Sequence, residues 1–409
     1  MSESNAVVFR DLLTATKDGD WGKGEPQQGY APAHVIRGTD FAEVSLGRIA
    51  GVPLRYLAET TVHRRLLRAD DILIETAGGS RDRPTGRTVL ISQEVLDAFS
   101  GDVTCASFAR FLRVDPGVAN PRYVYWYLQY LYVRGDMWTH QVQHTGVARF
   151  QFTRFAETEE VPLPTRAEQD AIATLLGALD DKIAVNERIA ATTDELVTAK
   201  FFALMSSCPN PKQALLGEVA AVNSSTVKPS EEGYLRYIDI SSVNVGFYEW
   251  PDQITWSDAP GRARRKASYG STIWSTVRPN RRSHALVLDE DSSLVFSTGL
   301  AVLAPLAVGP AFLYESTRTL EFQAYLESVA EGSAYPAVRA ERFLSAPILL
   351  PELAEREEFE VAAMAMRRRA HQARLESRTL ATLRDALLPQ LMSGRLRVKD
   401  AEKIVEDHA

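Results

Sequence analysis

The stretch PLPTRAEQDAIATLLGALDDKI, residues 162–183, has the pattern of a helix with a marked beginning. Thr165 precedes Glu168 by three residues, which is the spacing of a capping box: hydroxyl and carboxylate bind free N–H groups at the helix start. Pro164, just upstream, suits an extended backbone before the helix. Apolar residues then recur at heptad spacing, so the sequence predicts a long helix that packs along an apolar seam.

The predicted helix is unusually long for a globular domain. From residue 166 to residue 204 it would measure about 58 Å at 1.5 Å per residue. Asn186 falls within the seam, where a polar residue often sets the register of two helices at some cost in stability. The apolar seam positions are Ile172, Leu176, Leu179, Ile183, Val197 and Leu204.

A second stretch, LLPELAEREEFEVAAMAMRRRA at residues 349–370, repeats this pattern 187 residues later without a gap. A constant offset over a whole helix indicates duplicated modules. Pro389 is expected to break or kink the last turn, and Gly394 is a plausible helix stop. The seam is kept at Phe359, Met366, Leu380 and Leu387 but interrupted at Ser377 and Arg384. The alternative is two ordinary amphipathic helices packed on separate cores.

Two mixed blocks precede the two helices. Strand-like runs occur at residues 72–76, 108–114, 234–240, 271–277 and 300–305, and an aromatic helical segment at 123–133. We therefore predict a mixed α+β fold with a pseudo-twofold internal duplication, in which two long antiparallel coiled-coil-like helices separate two domains. The predicted boundaries are 1–164, 165–208, 209–350, 351–395 and a C-terminal tail at 396–409.

The composition narrows the class of protein. The 409 residues carry a net charge of −7 and two cysteines, Cys105 and Cys208, with neither zinc spacing nor a disulfide framework. No signal core or run of 18 apolar residues occurs, so we expect a cytoplasmic protein. An acidic chain can still bind nucleic acid if its positive charge is gathered on one face.

Positive charge is local in both blocks. Residues 261–288 contain seven Arg or Lys and no Asp or Glu. Such side chains neutralise phosphates, and Arg and Asn also read base edges. The alternative is a solvated charged face. The DNA-binding candidates are Arg64, Arg65, Arg81, Arg83 and Arg87 in the first block, and Arg262, Arg264, Arg265, Lys266, Arg278, Asn280, Arg281 and Arg282 in the second.

Motifs for chemistry are scarce. The chain has no Asn-Pro-Pro-aromatic tetrapeptide of an adenine methyltransferase and no P-loop. His140 and His144 have the spacing of a helical metal pair, but no third ligand is evident. We expect no catalytic residue and no metal site.

With these residues in place, the chain resembles the DNA-specificity subunit of type I restriction-modification systems. The specific matches are VPLPTRAEQDAIATLLGALDDKIAVN at 161–186 and LRDALLPQLMSGRLRV at 383–398. Weaker ones are IRGTDF at 36–41, YIDISSV at 237–243 and STVRPN at 275–280. The resemblance covers residues 30–398. The second helix departs from the family pattern in two places. Arg356 stands where Gln169 stands in the first helix, and the run Arg367–Arg369 is more basic than the matching region of the first helix.

The resemblance implies a non-catalytic subunit with two target recognition domains, each reading half of a bipartite DNA sequence, and helices that set the unread spacer. It implies two methylation subunits docked along the helices and motor-nuclease subunits beyond them. S-adenosylmethionine, ATP and Mg would belong to those partners, with no cofactor in this chain. The expected partner-binding residues are Glu168, Gln169, Ile172, Leu176, Leu179, Ile183, Leu383, Leu387 and Leu391.

Two other functions stay open at this point. The chain could be a DNA-recognition adaptor of another phage-defence or DNA-modification assembly. It could also be a fused methyltransferase-nuclease, against which its length and missing motifs argue.

Overall fold

The predicted capping box is present in the computed structural model, which describes residues 5–79, 83–144, 147–230, 232–333 and 335–407. Glu168 Oε2 accepts a hydrogen bond from Thr165 N at 3.0 Å, and Thr165 Oγ1 accepts from Glu168 N at 3.4 Å. The first long helix begins directly after it and spans Arg166–Ser207, 42 residues.

The second long helix spans Leu353–Met392. The helix continues past Pro389 to Met392, so the proline does not end it, although it lacks the N–H that would donate to Asp385 O. Gly394 ends it as predicted, with φ at 69° and its N–H donating to Leu391 O at 3.0 Å. The left-handed conformation at this position favours glycine.

The chain forms two compact units, and each contains half of each long helix. The first unit comprises residues 1–188 and 374–409, and the second comprises residues 189–373. The units therefore cut across the predicted domain boundaries, because each mixed domain packs on the helix segments beside it. The C-terminal tail contains a helix, Val398–Glu406, whose Ala401 is buried in the core of the first unit.

Within the first unit the two helices run antiparallel. Asp180 pairs with Arg384, and six residues later Asn186 donates a hydrogen bond to Glu376 Oε2 at 3.0 Å. The predicted seam position of Asn186 is confirmed, since its side chain is fully buried. The buried apolar seam residues of this unit are Ile172, Leu176, Leu179, Ile183, Leu380, Leu387 and Leu391.

The first unit contains three sheets and a closing strand pair. Its four-stranded antiparallel sheet has the order Leu13–Asp18, Ala109–Val114, Asp71–Glu75 and Thr88–Ile91. The other sheets are Leu54–Ala58 with Tyr30–Ile36 and Val103–Cys105, and Gln141–His144 with Val147–Phe150 and Ala77–Gly78. The closing pair is Asn5–Val8 with Glu160–Leu163. Its helices are Phe9–Leu12, Phe41–Ser45, Glu59–Arg65, Gln93–Asp97, Pro121–Arg134, Asp136–His140 and Phe152–Thr158.

The second unit has two four-stranded sheets and a closing pair. The first sheet has the order Ala220–Val222, Leu300–Pro305, Thr272–Ser275 and His284–Leu286, and the second Gln253–Thr255, Tyr234–Ile238, Leu294–Ser297 and Ala263–Arg265. The closing pair is Lys212–Leu215 with Pro347–Leu350. Its helices are Leu216–Val219, Pro279–Arg281, Pro310–Ser316, Leu320–Ser328 and Ala340–Leu344.

The four-stranded sheet described first in each unit has the same strand order, which bears out the internal duplication. Counted across this sheet, the four strands come first, fourth, second and third along the chain in both units. In both, the second sheet contains one parallel pair, Tyr30–Ile36 with Val103–Cys105 and Tyr234–Ile238 with Leu294–Ser297. The 187-residue offset also holds for the strand before each long helix, Glu160–Leu163 and Pro347–Leu350.

Candidate nucleic-acid interface

Two of the arginine-rich segments identified in the sequence, those that contain Arg83 and Arg281, lie in loops at equivalent positions of their units. The first lies between strands Asp71–Glu75 and Thr88–Ile91, and the second between Thr272–Ser275 and His284–Leu286. The residues at the start of each loop correspond, because Thr76 N donates to Phe108 O and Thr276 N donates to Gly299 O at 2.8 and 2.9 Å.

A second segment packs beside each loop in the same register. Phe150 N donates to Thr76 O at 2.9 Å, and Val338 N donates to Thr276 O at 2.8 Å. In the first unit this segment is the hairpin Gln141–Phe150, and in the second it is the turn around residues 331–337. Each unit thus presents one composite surface, which we call the loop-and-turn surface. Its described residues are 79, 83–87, 141–144 and 147–150 in the first unit, and 278–283, 331–333 and 335–337 in the second.

The loop of the second unit is built on an uncommon backbone. Arg278 and Arg282 have φ values of 52° and 55°, on either side of the short 3-10 helix Pro279–Arg281. A left-handed conformation at a residue other than glycine costs roughly 1–2 kcal/mol, and such strain concentrates at functional sites. The arrangement leaves the side chains of Asn280 and Arg281 exposed.

His284 fixes this loop through a hydrogen bond to the carbonyl of Arg282. A carbonyl only accepts, so His284 Nδ1 carries a proton and donates to Arg282 O at 2.5 Å. The imidazole is buried and stacked on Trp274, with ring centroids 4.7 Å apart. Burial, with a further contribution from the charge of Arg318, lowers the pKa of His284 to about 3. The ring is therefore neutral, and its one proton lies on Nδ1, where it donates to Arg282 O.

Arg282 itself is engaged in the structure. Its Nη2 donates to Arg318 O at 2.8 Å. The guanidinium of Arg278 lies over the ring of Tyr335, 4.5 Å from the centroid. Sequence reasoning missed Tyr335, because a single tyrosine in a Gly- and Pro-containing turn carries no pattern that distinguishes it. Its 69% exposure beside an arginine is visible only in the folded chain.

The basic cluster at residues 262–266 divides into free and engaged side chains. Arg262 is exposed, whereas Lys266 Nζ donates to Ser292 O and Leu294 O at 2.5 and 2.9 Å. Arg265 donates to Thr298 O at 3.2 Å, and Arg264 to the carbonyl of the preceding residue at 2.7 Å. Burial lowers the pKa of both Arg265 and Lys266. These two cations bind the second sheet of their own unit.

In the first unit, Arg83 is the exposed member of the loop, and Arg81 lies outside the described residues. Thr85 anchors the loop to the hairpin, since its N and Oγ1 both donate to Gln141 Oε1, at 2.8 and 3.1 Å. On the helix Glu59–Arg65, Arg64 is exposed with its Nε donating to Thr60 O, and Arg65 donates to Asp18 O.

Arg87, another predicted DNA-binding residue, is paired within its own unit. Its Nε and Nη2 donate to the two carboxylate oxygens of Glu75 at 3.0 and 2.7 Å, and Nη2 also reaches Gly38 O at 2.8 Å. The hydrogen bond to Glu75 raises the pKa of Arg87. Because Glu75 is buried, its charge requires this partner.

Most of the predicted partner-binding residues are used inside the chain. Gln169 is buried: its Nε2 donates to Pro164 O and its Oε1 accepts from Asn120 N, both at 2.9 Å. Glu168 is exposed but serves the capping box. The seam residues are buried within the first unit because they pack on the other helix, and Leu383 is half-buried there. The predicted residues that are buried are Gln169, Ile172, Leu176, Leu179, Ile183, Leu387 and Leu391.

In the second helix, Arg356 replaces Gln169 as the donor to the carbonyl of the proline before the helix. Its Nε donates to Pro351 O at 3.1 Å, and Pro351 corresponds to Pro164 in the repeat. Arg367 is not a solvated charge either, because it is buried and pairs with Asp194 and Glu315. Its neighbours Arg368 and Arg369 are exposed.

The long helices also carry exposed apolar side chains. In the second unit these include Val361, which is 74% exposed. Isolated exposed apolar residues are common, but several on one helix pair form a surface that a further helix can cover. The others in this unit are Leu196, Phe202 and Leu353, and the first unit has Val185.

Within the described ranges, no group of three or more His, Cys, Asp or Glu side chains is placed to hold a metal ion. Over the same part of the chain, no helix is both long enough and apolar enough to cross a membrane.

No family model matches the sequence, and no curated protein matches it. Among solved structures, the chain is similar to the type I restriction-modification system S subunit from M. genitalium, with a TM-score of 0.58 at 15% identity, over 96% of this chain and 97% of that one. The HsdS subunit from Thermoanaerobacter tengcongensis matches over 97% and 98% of the two chains at 16% identity, with a TM-score of 0.36. A chain from a structure of type I R-M complex assembly and conformational transition matches over 97% and 99% at 17% identity, with a TM-score of 0.39. The first similarity identifies the fold.

Proposed function

We propose that this chain, which has the fold of a type I S subunit, is the sequence-specific DNA-binding subunit of a type I restriction-modification complex. The observation that carries the proposal is the equivalence of the two loop-and-turn surfaces. Each unit builds the same sheet and places an arginine-bearing loop at the same connection, but with different side chains. Two similar scaffolds with unlike loops suit a reader of two unlike half-sites.

The exposed side chains fit DNA recognition. Arg83 in the first unit and Arg281 in the second are free to pair with guanine O6 and N7, and Asn280 with adenine N6 and N7. Arg64 and Arg262 are exposed cations suited to phosphate contacts, which position a protein on the duplex. Because the net charge of the chain is −7, the attraction to DNA phosphates would come from these local surfaces and not from the chain as a whole.

The chemistry of the complex is assigned to partner subunits. Two methylation subunits would supply S-adenosylmethionine, and motor-nuclease subunits would use ATP and Mg. The exposed apolar residues of the long helices, such as Phe202 and Val361, are the surface that we propose for docking the methylation subunits. The chain would act in the cytoplasm as a non-catalytic subunit. The spacer role of the helices stays a prediction.

The test is to co-express the chain with the methylation subunit encoded beside it and to map methylated positions in random DNA by single-molecule sequencing. We expect a bipartite motif. Arg83→Ala should relax one half of the motif and Arg281→Ala the other, each by about 10- to 100-fold in discrimination at one base pair. Arg368→Ala is the matched control, since Arg368 is an exposed arginine on the second long helix.

Three outcomes contradict the proposal in different ways. Methylation without sequence preference would exclude a specificity role. Methyl transfer by the purified chain alone would make it an enzyme. Sequence preference without methylation or nuclease partners, in a genome context of unrelated defence genes, would favour the adaptor of another defence assembly.

A further inference from the structure

The guanidinium of Arg278 is held in one orientation, while its hydrogen-bond donors are not used by the described residues. Its backbone N–H donates to Pro336 O at 2.7 Å, so the residue is tied to the turn at 331–337. Its guanidinium lies over the Tyr335 ring, 4.5 Å from the centroid. Among the described residues, no oxygen accepts a hydrogen bond from this guanidinium, so its five N–H donors stay open to a ligand.

Tyr335 restricts Arg278 without competing for its donors. A cation over an aromatic face is held by the ring quadrupole, which leaves the N–H groups at the edge of the guanidinium free. The left-handed backbone at Arg278, with φ of 52°, further limits where the side chain can point. Orientation before binding lowers the entropy lost when a ligand is bound.

The equivalent positions of the first unit carry a different pair. Thr76 and Thr276 correspond, so Gly78 corresponds to Arg278, and the register with Phe150 and Val338 makes Val147 correspond to Tyr335. Val147 is also exposed, but it faces a glycine position without a cation. The pair of arginine and tyrosine is therefore a feature of the second unit alone at this position.

We infer that Arg278 reads a guanine in the half-site bound by the second unit and that Tyr335 is the positioning residue that directs it. A bidentate contact from arginine to guanine O6 and N7 needs a planar guanidinium held in one orientation with its donors unpaired. The stacked pair provides both conditions. Arg282 does not, because its Nη2 is bonded to Arg318 O. This inference rests on the proposed function of the two units as DNA readers.

The experiment measures base preference at each position of the target, with the complex of this chain and the methylation subunits and a random DNA library. Arg278→Gly should lower the preference for guanine at one position of one half-site by about 10- to 100-fold. Glycine accepts the positive φ and is the residue at the equivalent position of the first unit, so the loop backbone is retained. Tyr335→Ala should lower the same preference by about two- to fivefold.

Tyr335→Phe separates orientation from simple packing. Because phenylalanine keeps the ring face, it should restore most of the guanine preference that Tyr335→Ala loses. Val147→Ala in the first unit is the matched control, and it should leave the guanine position of the second half-site unchanged. Tyr335→Leu provides a second folded variant without a ring if alanine destabilises the turn.

The possible failures are distinguishable. If the wild-type complex has no sequence preference, the proposed function is wrong. If the wild type recognises a bipartite sequence but Tyr335→Ala and Tyr335→Leu leave every position unchanged, the inference is overturned and the reader role stands. A uniform loss at all positions would also overturn it, because that result indicates lost affinity and not lost base reading.

Discussion

Asp194 of the first long helix pairs in the second unit with Arg367, a buried residue of the second long helix. Arg367 also pairs with Glu315 of the helix Pro310–Ser316, and Arg318 pairs with both acids at 2.7 and 3.1 Å. Burial alone would raise the pKa of the Asp194 carboxyl, but the two guanidinium charges outweigh it and lower that pKa to about 2. The network also reaches the arginine-rich loop of the second unit, because Arg318 O accepts from Arg282.

Arg367→Met should destabilise the second unit strongly. It removes one cation and leaves the buried Glu315 and the half-buried Asp194 with a single arginine between them, a change that costs about 3–5 kcal/mol. Urea unfolding, with hydrogen exchange to locate the loss in the second unit, measures this. Arg368→Met is the control and should change the free energy of unfolding by less than about 0.5 kcal/mol. Equal effects of both substitutions would show that the network does not stabilise the unit.

The stability of the second unit should fall as the pH is lowered from about 6.5 to about 3 because of His284. Burial lowers the folded-state pKa to about 3 from 6.5, so over this range the unfolded chain binds a proton that the folded chain does not. The free energy of unfolding then decreases by up to about 1.4 kcal/mol per pH unit. His284→Gln, which does not titrate, should lack this component when the two pH profiles are compared. Parallel profiles would contradict the assignment.

Glu360→Ala should loosen the helix Pro310–Ser316. The Glu360 carboxylate accepts from Ala311 N at 3.0 Å and Phe312 N at 2.9 Å, so it caps that helix from the second long helix. Losing such a cap costs about 0.5–2 kcal/mol. Hydrogen exchange of the helix amides should rise accordingly. Glu358→Ala is the control, since Glu358 is exposed on the same helix as Glu360. Unchanged protection in Glu360→Ala would exclude the capping role.

Arg87→Ala and Arg83→Ala should have opposite consequences. The first leaves Glu75 buried without its partner and should destabilise the first unit by about 3–5 kcal/mol. The second removes an exposed side chain, so stability should be unchanged while DNA binding weakens. Urea unfolding and titration with DNA at fixed salt separate the two effects. A stable Arg87→Ala protein with impaired binding would restore Arg87 to the DNA interface.

The long helices could be predicted from the sequence because their determinants are local. A capping box spans four residues, and an apolar seam repeats within two turns of the helix, so neither depends on distant parts of the chain. The 187-residue offset that revealed the duplication also holds for the strands Glu160–Leu163 and Pro347–Leu350.

Which arginines are free was decided only by the tertiary structure. The partner of Arg87 is 12 residues away, and those of Arg367 are 173 and 52 residues away. A guanidinium reads DNA or neutralises a buried acid according to what the fold places next to it, and a run of basic letters does not distinguish the two. The pairing of Arg278 with Tyr335 arose in the same way, since the loop and the turn meet only when the sheet has formed.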